Sequence, residues 1–299
     1  MRSLSLYLAA AFLAAAGPAA AQPAGAPWPD IGQGAAAGGI RWLGPPPPAA
    51  PRRVVSLAPS LTDIVIVLGK ADALVGVSRY DAQPEVSRLP RVGGFLDPSP
   101  EAVVALKPDL VLWLTDSGAL PSVRKIADLG VPVLALPVIG VEDVTAAARQ
   151  VGRALGDAAA GERFARGLEE GIARVRAVAA GLPRPRVLFV VGREPLVVAG
   201  PGSYPDQLLR IAGAENVVKG EHPWPVYPLE KAVGDDPDFV IDAASLEHGG
   251  SEGRLSSIPA ARRGRLVRLA DDDALRPGPR LLRVLDRLLA TLHPQAVAP

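Results

Sequence analysis

Three histidines, His222, His248 and His293, are all that this chain of 299 residues offers for imidazole chemistry, and no two share a helical metal-binding spacing. A Walker sequence and a dinucleotide loop G-x-G-x-x-G are absent, so phosphate cradling and hydride transfer each lack a necessary part. There is no cysteine. Its absence excludes disulfides, thiolate metal sites, cysteine nucleophiles and a lipid anchor on an N-terminal cysteine. Asp271-Asp272-Asp273 offers hard oxygen ligands, but calcium loops space theirs at alternate positions around a glycine turn. The run therefore reads as a solvated loop with one acid free to face a ligand. What remains is aromatic chemistry. Phe, Trp and Tyr make up only 4% of the chain, and Tyr80, Trp113, Trp224 and Tyr227 fall at strand ends or loops, Trp224 inside His222-Pro223-Trp224-Pro225. Such rings hold flat apolar ligands.

The elements that position them alternate between strand and helix. Val54–Leu57, Leu74–Val77, Asp109–Leu114 and Pro132–Leu136 read as strands, separated by helices such as Glu101–Leu106 and Ser122–Leu129. After Pro183-Arg184-Pro185 the alternation resumes, with strands Val187–Val191, Leu196–Ala199, Phe239–Asp242 and Leu266–Leu269 and helices Tyr204–Ile211 and Arg280–Leu292. This pattern predicts parallel sheets. Ser60 followed by Asp63 predicts a capping box opening the first helix. Between the halves, Asp157–Gly181 predicts one long helix with the stripe Phe164, Leu168, Ile172, Val175 and Val178, the ion pairs Glu162/Arg166 and Glu170/Arg174, and glycines 161, 167 and 171 as weak points. The expected fold is α/β, two Rossmann-like lobes (52–156 and 182–293) bridged by that helix, with a tail at 294–299. Ligands of parallel sheets sit beyond the carboxyl ends of strands. That rule nominates Pro59 and Ser60, Tyr80, Trp113 and Trp224.

An internal match supports two related halves: Glu101-x-x-Val104-x-x-x-Pro108-Asp109-x-Val111 recurs as Glu230-x-x-Val233-x-x-x-Pro237-Asp238-x-Val240. Before the first half, Arg2, the apolar run Leu4–Ala16 and Ala19-Ala20-Ala21 form a secretory leader with cleavage expected after Ala21. Residues 22–51, rich in Pro, Ala and Gly, predict a flexible arm. Without the leader the chain holds 31 basic against 31 acidic residues with no basic stripe, which argues against nucleic acid as a partner. An exported, unanchored protein is expected, and a monomer.

The runs RVVSLAPSLTDIVIVLG, LVGVSRYDAQP, LPRVGG, PEAVVALKPDLVL, LGVPVLAL, GAENVV, PWPVYPLEKAV and RPGPRL follow in this order from Arg53 to Leu281. Together they resemble the periplasmic cobalamin- and iron-siderophore-binding family of ABC importers, and most of all its cobalamin binders. The resemblance implies capture of a corrinoid between two lobes, no catalytic residue and no resident cofactor or metal. Tyr80 and Trp224 match the family's pocket tyrosine and loop tryptophan, Arg276 is implied near the ligand, and Asp272 beside it. It also implies that Glu101 and Glu230 dock on arginines of the membrane permease. Two departures stand out: Gly94-Phe95 replaces a pocket tryptophan, and Trp113 is one place out of register with another. A ferric siderophore is the alternative ligand and would call on Arg79, Arg193 and Arg276. Haem is a further alternative, through an axial Tyr80. An exported two-domain Rossmann-like enzyme is the reading from another class, disfavoured by the missing phosphate loop.

Overall fold

The computed structural model describes residues 39–244, 252–269 and 272–296, without the side chains of Asp116, Glu252 and Asp272. The expected leader, most of the arm and the end of the tail lie outside the described residues. Two compact bodies part between Gly167 and Leu168, inside the long helix.

The first body contains β1 (Arg41–Leu43), β2 (Val54–Ser56), α1 (Pro59–Val67), β3 (Leu74–Val77), α2 (Pro100–Ala105), β4 (Leu110–Leu114), α3 (Leu120–Asp128), β5 (Val133–Leu136) and α4 (Val141–Ala154). Its sheet runs β1-β5-β4-β2-β3. Strands β2 to β5 are parallel and almost wholly buried, which is why they read as continuous apolar runs without alternation. The arm needs correction. Residues 41–43 form an antiparallel edge strand, with Trp42 opposite Leu134 and Leu43 in the core. The β5 edge would otherwise leave backbone groups unpaired, and Trp42-Leu43 supplies apolar side chains to cover it.

After the long helix α5 (Ala158–Ala179), the second body holds β6 (Arg186–Arg193), β7 (Leu196–Val198), α6 (Tyr204–Ile211), β8 (Glu215–Asn216), α7 (Leu229–Gly234), β9 (Phe239–Asp242), α8 (Glu252–Leu255), α9 (Pro259–Arg262), β10 (Leu266–Arg268) and α10 (Leu281–Leu292). Its sheet runs β10-β9-β6-β7, with β8 also on β6. All pairs are parallel except β6 with β7, which returns directly as a hairpin.

The internal repeat corresponds to one lock built twice. Asp109 accepts the backbone N–H groups of Arg52 and Arg53 at 2.9 and 3.0 Å, and its own N–H donates to the Arg53 carbonyl at 2.8 Å. The Arg53 guanidinium donates to the Leu106 carbonyl at 2.6 Å and the Lys107 carbonyl at 3.1 Å, groups left without intrahelical partners at the end of α2. In the second body Asp238 accepts from the Arg186 N–H at 2.8 Å, and Arg186 donates to the Asp236 carbonyl at 3.1 Å. Lys107 and Asp236, at φ of 47° and 38°, take the left-handed turn that each lock requires.

Helix α5 falls within the expected span, but its stripe is rotated. Ala165, Leu168, Ile172, Val175 and Ala179 are buried, whereas Phe164 is half-buried and Val178 is 38% exposed. Alternating steps of three and four residues keep Ala165 and Ala179 on the buried face, and the bulk of Phe164 and Val178 biased the sequence reading. Of the two expected ion pairs, Glu162 reaches Arg166 at 3.8 Å and, more closely, Arg149 at 2.8 Å. Arg174 pairs with Asp286 instead of Glu170.

Two of the three glycines are contact points rather than weaknesses. A Cβ on Gly161 would lie 2.6 Å from the Ala148 carbonyl of α4, beside Gly152, and one on Gly171 would meet Leu282 of α10 at 2.5 Å. Gly167 faces open space. We therefore expect Gly161→Ala to lower stability by roughly 1–2 kcal/mol through overpacking. Gly167→Ala should raise it by about 0.5–1 kcal/mol through helix propensity. Denaturant unfolding of the two variants reads the opposite signs.

Candidate functional site

In the first body, the carboxyl ends of β2 and β3 lie side by side. Strand β2 leads into α1, which opens two residues earlier than the expected Ser60 cap implies: Pro59 takes the first helical position, Ala58 is the N-cap, and no side chain caps it. Proline suits that position because the missing N–H has no helical partner there. The capping box at Ser60 and Asp63 is therefore not formed. Ser60 is buried within the first turn, and Asp63 accepts from Gln83 Nε2 at 2.7 Å. The same amide donates to the Pro59 carbonyl at 3.3 Å, tying the loop after β3 to the start of α1.

That loop presents Tyr80. Ser78 Oγ donates to Asp81 at 2.6 Å, both buried, and the Tyr80 N–H donates to Ser78 Oγ at 3.3 Å. The chain returns alongside β3, with the Val92 N–H on the Val77 carbonyl at 3.0 Å and the Arg79 N–H on the Gly93 carbonyl at 2.7 Å. This return brings Phe95 edge-on to the Tyr80 ring, centroids 5.6 Å apart at 62°. A Cβ on Gly94 would stand 2.9 Å from Tyr80 Cε2 and 2.4 Å from Asp97 Oδ1, so the pairing needs glycine there. Arg79 lies 5.9 Å from the Tyr80 centroid and is bonded to Asp97 at 2.6 Å. Sequence reasoning noted Phe95 only as part of a departure from the family's pocket tryptophan; the structure sets it against Tyr80. Its signal was an aromatic side chain directly after LPRVGG in an aromatic-poor chain.

Trp113 does not join this group. It is 4% exposed, packs in the core beneath the sheet and donates its indole N–H to Ser117 at 2.7 Å. A residue inside a parallel strand points into a packed layer, so no ligand reaches its ring while the core is closed. The expectation that it lines a pocket is corrected accordingly.

In the second body, the His222–Tyr227 loop is zipped along β7. The Gly200 N–H donates to the Pro223 carbonyl at 2.8 Å, the Val198 N–H to Pro225 at 3.2 Å, and the Tyr227 N–H to Leu196 at 2.8 Å. Trp224 is half-buried, and its backbone N–H donates to His222 Nδ1 at 3.1 Å. Tyr227 is structural: it is buried, its hydroxyl donates to Asp235, and Lys231 lies over its ring. Burial first, and the Asp235 carboxylate second, raise its pKa.

Each arginine considered for a ligand is already held by an acid. Arg193 donates to Asp242 at 2.7 and 3.1 Å, both side chains buried at the carboxyl ends of β6 and β9. Arg276 lies 3.7 Å from Asp273, which Arg280 approaches at 3.3 Å. Tyr204 sits beneath, with its pKa pushed far up by burial and by the Asp273 charge, and pulled back only partly by Arg276. The side chain of Asp272 and all of Asp271 lie outside the described residues. Among the described residues no group of three or more His, Asp or Glu side chains could hold a metal, and no helix is long and apolar enough to cross a membrane.

Glu101 and Glu230, both exposed, occupy the first turns of α2 and α7. Glu101 is bonded by Lys125 at 2.6 Å, which lowers its pKa. The structure thus groups Pro59, Ser60 and Tyr80 in the first body, and places Trp224 and Arg276 in the second.

A family model described as periplasmic binding protein matches residues 54–272. The vitamin B12-binding protein of Pectobacterium carotovorum subsp. carotovorum (strain PC1) is 27% identical over 252 residues, covering 82% of this chain and 89% of the relative. Among solved structures, the periplasmic heme-binding protein RhuT from Roseiflexus sp. RS-1 superposes with a TM-score of 0.74 at 28% identity, covering 82% of this chain and 99% of that one. The periplasmic vitamin B12 binding protein BtuF of Vibrio cholerae gives a TM-score of 0.72 at 22% identity, covering 84% and 100%; that likeness concerns the fold alone.

Trp113→Ala is expected to lower stability by about 3–5 kcal/mol, as for a large core truncation. Tyr80→Ala, at a half-buried ring, should change it by less than about 1.5 kcal/mol. Chemical denaturation of the two proteins separates the core aromatic from the surface one.

Proposed function

Because the chain belongs to the periplasmic binding protein family, we propose that it is exported to the periplasm as the solute-binding component of an ABC importer, and that its ligand is cobalamin or a related corrinoid. Binding, not turnover, is the task of this family. In this reading Tyr80 and Phe95, with Pro59 and Ser60 beside them, supply one contact surface. Trp224 and Arg276 supply another, and Glu101 and Glu230 meet the permease.

The observation that carries the choice of ligand is electrostatic. Arg79, Arg193 and Arg276 are each matched by an aspartate, so the candidate surfaces offer half-exposed rings and little uncommitted positive charge. A ferric siderophore bearing several negative charges would have to break these pairs, one of them fully buried. A corrinoid presents broad apolar faces and neutral amide edges, which rings and a few polar groups can hold. The relatives named vitamin B12-binding proteins support the same choice. Haem is the second reading: the half-buried Tyr80 phenol is a possible axial ligand, and RhuT at 28% identity is named for heme.

Calorimetric titration of the mature chain with cyanocobalamin, haemin and a ferric siderophore tests this. Cyanocobalamin should bind most tightly. Trp224→Ala should weaken it by about 2 kcal/mol, roughly 30-fold, for the loss of one aromatic platform. Tighter binding of haemin, with a Soret band lost in Tyr80→Phe, would replace the corrinoid by haem.

A further inference from the structure

Arg193 carries a donor that the fold leaves unused. Its Nε and Nη2 both bond Asp242 Oδ2, at 3.1 and 2.7 Å, and the other oxygen of that carboxylate accepts the Ala244 N–H at 3.2 Å. Among the described residues Nη1 has no acceptor, although the Arg193 side chain is only 3% exposed. A buried donor left without an acceptor is costly. The place for one is a cavity of about 270 Å³ that Arg193 lines within the second body.

Two further charged side chains line the same cavity. Arg254 reaches Glu194 only at 3.7 Å, with both side chains 54% exposed, and an exposed pair of that length holds its guanidinium weakly. Glu230 has no ion-pair partner among the described residues. Leu196, Leu229 and Leu255 add apolar wall. At ~30 Å³ per water the space takes roughly nine waters. That is below the roughly 300–1,000 Å³ of drug-sized sites, and far too small for a corrinoid.

The lining therefore has both signs. A purely anionic ligand would meet Glu230, and a purely cationic one Arg254, with nothing of its own to offset the repulsion. A zwitterion satisfies both. Its carboxylate takes charge from Arg254 and direction from Arg193 Nη1, whose own charge Asp242 already balances, while its ammonium meets Glu230. An aliphatic side chain then lies on the leucines.

We propose that this cavity binds a small free zwitterion, an α-amino acid with an aliphatic side chain. Such a site lies wholly in the second body and is independent of the corrinoid reading above.

Calorimetric titration of the mature chain with L-leucine tests it. Saturable binding at roughly 1 mM or tighter is expected for a ligand of this size. Isocaproate, which keeps the carboxylate and lacks the ammonium, and isoamylamine, which does the reverse, should each bind at least about tenfold more weakly. Leucine should lose about as much on Glu230→Gln or Arg254→Gln, both at exposed positions where the fold is kept. Val226→Trp, at a 54% exposed position on the cavity wall, should close the space and abolish binding. No saturable binding of leucine, a singly charged analogue binding as tightly, or affinity unchanged in these variants would overturn the site. No permease is present in this assay, and cyanocobalamin titration of the same proteins reads the corrinoid separately.

Discussion

The aspartate that follows each proline of the repeat is the constraint from which both bodies are built. Asp109 accepts the two N–H groups just before β2 and Asp238 the first N–H of β6, while the Arg53 and Arg186 side chains donate to carbonyls just past the ends of α2 and α7. A parallel pair has no hairpin to set its register. Here the register of β2 against β4, and of β6 against β9, is set at the amino ends by a charged side chain accepting backbone bonds. Everything placed at the opposite ends inherits that alignment, including the turn into Pro59 and the Arg193–Asp242 pair.

Most of this was legible in the sequence because buried parallel strands leave a strong signal. Leu74–Val77, Phe239–Asp242 and Tyr204–Ile211 have the bounds that their apolar runs and breakers suggest. Several failures share a cause: the deciding partner lies on another element. Trp42-Leu43 becomes a strand only because β5 offers an edge. Gly161 reads as a helix breaker until Gly152 of α4 is found against it. Arg174 has an acid at helical spacing, yet Asp286 of α10 takes it.

The site was legible in its types and less so in its members. Tyr80 and Trp224 stand on loops fastened by backbone hydrogen bonds, as a loop that must hold a ring in one place requires. Trp113 misled because strand end and strand interior differ by a single residue, and indole is equally at home in a core. Phe95 was visible in the sequence only as a departure from a pocket tryptophan, not as a partner of Tyr80. Its contact with Tyr80 depends on Gly94 having no side chain and on residues 90–93 running back beside β3, neither of which periodicity can express.

Charge pairing then decides what such a scaffold can select. An arginine already bonded to an aspartate in the unliganded protein contributes direction, not net attraction, since an anionic ligand must first compete with that aspartate. For Arg193, with both partners buried, the competition is steep; for the exposed Arg79–Asp97 pair it is mild. In the corrinoid reading proposed above, selection falls to shape and to the faces of rings, which favour a large neutral ligand over a compact anion. The same reasoning separates the two halves on their outer surfaces. Related locks hold α2 and α7, so the shared part of the repeat serves folding, while the surface charges differ: Lys125 closes on Glu101 in one body, and Arg254 reaches Glu194 instead of Glu230 in the other.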